Sequence, residues 1–209
     1  MAPVIPNPAR IRSFPDAAAF EKWLSKHHDK EPEIWLKVHK KGSGLPSVTS
    51  VEALDACLCW GWIDGQRKGL DEASFLQRYC PRTAKSKWSQ INRTNVARLA
   101  KAGRMTPHGQ RQIDLAKKDG RWEAAYAPMR EASAETIPAD LRAAIEANAR
   151  AKKTFATLNR ANLFSLVFRT GNMKTAAGRA RKIATLVQTL ARGELIVPPV
   201  KRPPKKPRK

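Results

Sequence analysis

The chain has 209 residues, 42% of them hydrophobic and 28% charged, with 40 Lys and Arg against 18 Asp and Glu for a formal charge of +22. That apolar content can offset the entropy of ordering a chain and excludes a wholly disordered protein, while the length allows one sizeable core or two small ones. The charge selects for anionic partners, whether phosphates, nucleic acid or anionic lipid headgroups, and carries no information about fold.

Met1 to Phe14 contains three prolines and no uninterrupted apolar core, so it does not read as an export signal. No later run approaches the roughly 20 apolar residues that span a bilayer. Cys57, Cys59 and Cys80 form an odd set without the spacing of a disulfide scaffold. A cytoplasmic location is expected.

Asp16 to His28 reads as a helix, with Phe20, Trp23, Leu24 and His27 on one stripe, ended by Pro32. Ile34, Leu36 and Val38 then alternate with Trp35, Lys37 and His39, the pattern of a strand with one buried face. Lys40 to Pro46 is a loop. Thr49 and Glu52 have capping-box spacing for a helix whose apolar face is Val51, Leu54 and Leu58, closed by Gly61. Trp62 to Arg67 and Ser74 to Cys80 predict two further strands, the second stopped by Pro81. Ser89 to Ala102 predicts a helix through Ile91, Asn95, Arg98 and Leu99, with Gly103 at its end, and Thr106-Pro107 opens another.

Periodicity is interrupted over 122–137. Beyond it the pattern is helical: Pro138 to Asn148, Ala149 to Arg169 and Lys174 to Arg192, with Gly171 and Gly193 as stops. From Val197 the chain is rich in Pro, Lys and Arg and reads as an extended, disordered basic tail. The expected fold class is α+β. A domain over 14–121 has a small antiparallel sheet with helices on one side; a helical domain covers 137–194 and the tail 197–209.

Trp60-Gly61-Trp62-Ile63-Asp64-Gly65-Gln66-Arg67-Lys68 places two indoles, a carboxylate and two cations around two glycines. It is a candidate pocket in which Asp64 acts as a base, with Arg78 and Lys41 nearby; equally, the indoles are core and Asp64 caps a turn or pairs with Arg67 or Arg78. Lys40-Lys41-Gly42-Ser43-Gly44 offers ammonium groups and free backbone N–H groups to a phosphate, without Walker spacing, or is an ordinary turn. Arg78, Arg82, Lys85, Lys87, Trp88, Asn92 and Arg93 interleave cations with an aromatic ring, as on a single-strand or phosphate-binding surface, or form a solvated basic face. The tail cations Lys201, Arg202, Lys205, Lys206, Arg208 and Lys209 are candidates for nucleic acid; without them the charge is +16. Metal-ligand spacing, a nucleophile elbow and a dinucleotide fingerprint are all absent, so neither metal nor cofactor is expected.

Lys40 to Ser47, Ala53-Leu54-Asp55 with Cys59 to Gly65, and then Arg78, Pro81-Arg82, Trp88 and Asn92 in order resemble the YdeI/OmpD-associated, or bacteriocin-protection, family. The resemblance covers most of 14–120, and the helices over 138–193 are similar to that family's C-terminal domain. It implies protection against cationic antimicrobial peptides and a link to an outer-membrane porin, and brings no catalytic residues. Three readings stand: a non-enzymatic stress or envelope-protection protein, a nucleic-acid-associated protein, and a small-anion binder or enzyme.

Overall fold

The computed structural model describes residues 4–198. The chain divides into two compact units with the boundary between Ala125 and Tyr126, inside the aperiodic stretch.

The first unit comprises β1 (Ile11–Arg12), α1 (Ala17–His27), β2 (Ile34–His39), α2 (Ser50–Cys59), β3 (Trp62–Gly69), β4 (Ser74–Pro81), α3 (Gln90–Lys101) and α4 (Pro107–Lys118). The helix starts follow their caps. Asp16 accepts from the Ala19 N–H, Thr49 and Glu52 form the full capping box, Ser89 accepts from Asn92 and Thr106 from Gly109. The sheet order is β1-β2-β4-β3. Its three longer strands are antiparallel, and β1, which is too short for a periodic signal, adds to β2 in parallel.

Burial departs from the simple stripes in three places. Trp35 is fully buried although it alternates with the core-facing Ile34 and Leu36, so β2 is covered on both faces at that end. Its indole N–H donates to Glu33, which also takes Arg78 at 2.6 Å and Arg10 at 3.7 Å. Val51 is 68% exposed and Ile91 40% exposed. The buried residues are Ala53, Asp55, Ala56, Cys57, Leu58 and Cys59 on α2, and Asn92, Val96 and Leu99 on α3, so Leu58 and Leu99 lie inside as expected.

α2 is buried on nearly every side because two clusters flank it. Ala53, Ala56 and Cys57 join Phe20 and Leu24 of α1, Ile34, Leu36 and Val38 of β2, Trp62 and Tyr79. Leu58 and Cys59 join Trp88, Val96, Leu99, Ile113 and Ala116. Each large apolar side chain so placed contributes about 1.5–3 kcal/mol relative to exposure. Small residues on α2 let both layers approach closely.

The second unit holds a short 3-10 turn at Met129–Glu131 and four helices: α5 (Ala139–Glu146), α6 (Ala149–Phe155), α7 (Arg160–Gly171) and α8 (Ala176–Ala191). The single helix expected over Ala149 to Arg169 is thus two. Asn159, whose side chain accepts from the Asn162 N–H, starts a new helix after the chain leaves α6 at Ala156. The core is Ile137, Leu141, Ile145, Ala151, Leu166, Ile183, Leu186, Leu190 and Ile196. Past α8, the Val197 N–H donates to Asn162 Oδ1 at 2.8 Å. Of the expected basic tail only Val197 and Pro198 belong to the described residues; Lys201, Arg202, Lys205, Lys206, Arg208 and Lys209 lie outside them.

Candidate functional site

The loop after β2 turns at Gly42 (φ +92) and Gly44 (φ +74), conformations that L side chains rarely adopt. The Ser43 N–H closes the turn on Lys40 O, and Ser47 Oγ accepts from the His39 N–H. The loop then enters α2 through Thr49. A cavity of about 490 Å³ is lined by Lys40, Lys41, Ser43, Ser47, Ser50 and Phe75, together with neighbouring loop backbone. That volume suits a small ligand.

A β-bulge brings Arg67 against Phe75 and Ser50, two of the residues that line the cavity. The β3–β4 register runs from Asp64↔Tyr79 to Arg67↔Gln77, three residues of β3 against two of β4. Regular alternation would put Arg67 on the opposite face from Asp64; the extra residue returns it to the face of Gln77 and Phe75. Gln77 is buried beneath the bulge, donating to Gly65 O at 3.0 Å and accepting from Arg67 Nε at 2.9 Å. The Arg67 guanidinium lies 4.3 Å from the Phe75 ring centroid and donates to Ser50 Oγ at 3.1 Å. A planar cation held by a ring and two hydrogen bonds is preorganised for a phosphate or carboxylate.

The charges at this cleft are not equivalent. Lys40 Nζ is bonded to Asp71 O and Glu72 O and steadies the β3–β4 turn. Lys41 is exposed. At the head of α2, the Glu52 carboxylate accepts from the Thr49 N–H and hydroxyl, bonds that hold it below the usual glutamate range. The helix terminus already has its anion, so Lys41 and Arg67 are the cations left for a ligand.

The other residues singled out in the sequence are not gathered into one pocket. Trp62 is 1% exposed and donates its indole N–H to His28 O. Trp60 packs in a ring cluster with His28 (4.9 Å) and His108 (5.7 Å), whose own rings are 3.9 Å apart. Asp64 is exposed. Neighbouring atoms raise its carboxyl through desolvation, opposed by its own backbone and by the Arg82 and Arg67 charges, but contact with water screens that effect. Arg78 pairs with Glu33 on the other sheet face, in register with Trp35.

Arg82, Trp88 and Asn92 are 5%, 2% and 6% exposed, too enclosed to form a stacking surface. The Arg82 guanidinium lies 3.5 Å from the Trp88 ring centroid and donates to Lys87 O. Trp122 meets Trp88 edge-on at 4.8 Å and carries Arg93 and Lys117 over its own ring. Arg82, Arg93 and the two indoles pack against one another here, while Lys85 and Lys87 are exposed. Trp122 was not among the sequence candidates, nor were Phe75, Ser47 and Ser50; serines and a phenylalanine spread over a loop, a helix start and a strand give no spacing signal.

Cys57 and Cys59 are buried, and burial pushes both thiols up, Cys59 to about 11. Among the described residues no three His, Cys, Asp or Glu side chains are grouped to hold a metal ion, and no helix is long and apolar enough to cross a membrane.

Residues 12–112 match a family model described as Domain of unknown function (DUF8412), and residues 135–193 match one described as Bacteriocin-protection, YdeI or OmpD-Associated. The motifs at 40–47 and 59–65 lie in the first stretch, and the helices α5 to α8 in the second. No curated protein and no solved structure matches the chain.

Proposed function

We propose that this chain, which carries a domain of the YdeI/OmpD-associated, bacteriocin-protection family over residues 135–193, works by binding: its first unit takes a small phosphate-bearing ligand in the cleft of the Lys40–Ser47 loop. The observation that carries this reading is Arg67, set on Phe75 and bonded to Ser50, two residues that line a 490 Å³ cavity together with Lys41. The glycines at 42 and 44 let backbone N–H groups approach an anion closely.

Binding rather than turnover is favoured by the state of the reactive groups. Cys57 and Cys59 are buried thiols with raised pKa values, and Asp55 is tied to Arg98 at 2.6 Å and 2.7 Å. The three free thiols accord with a reducing compartment, and we place the protein in the cytoplasm. A stress or envelope-protection role would then run through the ligand. Direct capture of a cationic peptide is opposed by the +22 charge.

Thermal shift against ribose 5-phosphate, adenosine monophosphate and pyrophosphate tests the cleft. A ligand at 100 times its Kd adds about 2.7 kcal/mol. Lys41→Gln with Arg67→Gln should abolish the shift while leaving the ligand-free melting temperature within a few degrees. Shifts that are equal in the variant, or absent for every phosphate, contradict the proposal. Gene deletion that leaves sensitivity to polymyxin-like peptides unchanged removes the protective role.

A further inference from the structure

We propose that the second unit is a backbone-reading surface for duplex nucleic acid, carried by the exposed cations of α6, α7 and α8. Charge in this chain is segregated. Residues 147–209 contain 16 Lys and Arg and one acid, Glu194, a net +15 over 63 residues, against +7 over the first 146. Ten of those cations fall between Arg150 and Arg192, eight of them within α6, α7 and α8, with Lys174 and Arg192 just outside the helices.

The fold leaves most of that charge uncompensated. Arg179 takes Asp140 of α5 through two hydrogen bonds, and Arg192 takes Glu194. The other eight of the ten stand in no ion pair among the described residues. Seven of them, Arg150, Lys152, Lys153, Arg160, Arg169, Lys174 and Arg181, are exposed; Arg169 donates to Ile196 O, which leaves six without a hydrogen bond among the described residues. Ala151 and Phe155 turn α6 inward, which sends Arg150, Lys152 and Lys153 outward; α6 packs against α8, whose buried Ile183, Leu186 and Leu190 leave Arg181 on the outer side. Mutual repulsion among these groups opposes the compact state, and a partner rich in phosphate relieves it.

The character of the surface selects among polyanions. A helix that lies in a bilayer surface needs an exposed apolar stripe beside its cations. Among the described residues α5 to α8 expose no large hydrophobic side chain; those of this unit that are exposed, Met129 and Leu195, lie outside the helices. Single-strand platforms need exposed aromatic rings. The rings of α7, Phe164 and Phe168, stack on one another and meet Tyr126 edge-on instead. The apolar groove along α5 and α8 holds the Asp140–Arg179 pair, so its one lining cation is already compensated. What remains is long-range attraction and phosphate contact without base reading, the mode of a sequence-neutral duplex binder.

The test is fluorescence anisotropy of 20-bp A·T and G·C duplexes with the full chain, with the chain ended at Pro198, and with Lys152→Gln, Lys153→Gln and Arg181→Gln combined. Six engaged cations predict a slope of about −5 for log affinity against log salt, a loss on the order of 10³-fold between about 50 and 200 mM. The shortened chain should keep that slope, the triple variant should lower its magnitude by about 3, and the two duplexes should differ little. Lys22→Gln with Lys26→Gln, exposed on α1, should change nothing, and circular dichroism melts confirm that each variant is folded. The proposal is overturned by loss of all binding on removing residues 199–209, by a triple variant that binds like the parent, or by tighter binding to anionic-lipid vesicles than to duplex at equal salt.

Discussion

Replacing Gly109 with alanine tests the packing that holds the first unit together. In an open helix position Gly→Ala stabilises by about 1 kcal/mol. Here the sign should reverse. α4 crosses the end of α2 so closely that a Cβ at residue 109 would stand 2.2 Å from Cys59 O and 2.7 Å from Leu58 O, both backbone atoms. Ordinary contact begins at 3.4 Å, so α4 must retreat by about 1 Å. That shift overpacks or separates the layer of Leu58, Cys59, Leu99, Ile113 and Ala116, at a cost of about 1–3 kcal/mol. It also stretches the 2.6 Å hydrogen bond from Thr106 Oγ1 to Cys59 O, worth about 1 kcal/mol. Set against the helix gain, Gly109→Ala should destabilise by about 1–3 kcal/mol. All six tryptophans lie in the first unit, so their fluorescence during urea unfolding reports on it. Gly69→Ala, where the new Cβ meets nothing within 4 Å, is the control and should be neutral or mildly stabilising. A Gly109→Ala midpoint at or above that of Gly69→Ala would refute the close crossing.

Two further outcomes follow from the ionisable groups. Cys57 and Cys59, buried and with raised pKa values, should resist iodoacetamide at pH 8 in the native chain and react once guanidinium unfolds it; mass spectrometry reads the difference, and native labelling of either thiol contradicts their burial. Asp140 is held at about 2, first by its hydrogen bond to Arg179. Its folded pKa therefore lies below the unfolded value of about 3.9, so the stabilisation is present above that value and lost as pH falls toward 2. The pair is half exposed, which limits it to under about 1 kcal/mol. Asp140→Asn should remove that part of the acid dependence between pH 4 and 2, measured by far-ultraviolet circular dichroism; an unchanged acid profile counts against the pairing.

Local signals reached far into this fold. The caps at Asp16, Thr49, Ser89 and Thr106 are short-range chemistry, and each starts a helix where its spacing predicts. What escaped prediction depends on tertiary contacts. Val51 suits a buried stripe, yet the small Ala53, Ala56 and Cys57 pack on the core side of α2 instead; on α3 the buried face is Asn92, Val96 and Leu99, which leaves Ile91 outside. The break between α6 and α7 rests on one asparagine cap inside a run of good helix formers. At the site, the Lys40–Ser47 loop was legible from its glycines and lysines. Arg67 joins it only because the bulge shifts register by one residue, and strand alternation separates Arg78 from the face it was expected to share. The Arg82 and Trp88 pattern reads as a basic surface in one dimension and folds into an interior contact.

The cleft can be tested most directly by following backbone amide shifts of the full chain during titration with pyrophosphate. Saturable shifts at Gly42, Ser43, Gly44, Ser47 and Ser50, lost when Lys41 and Arg67 are both replaced by glutamine, are the predicted result. Loop amides that stay still while pyrophosphate reaches millimolar concentration would contradict the account.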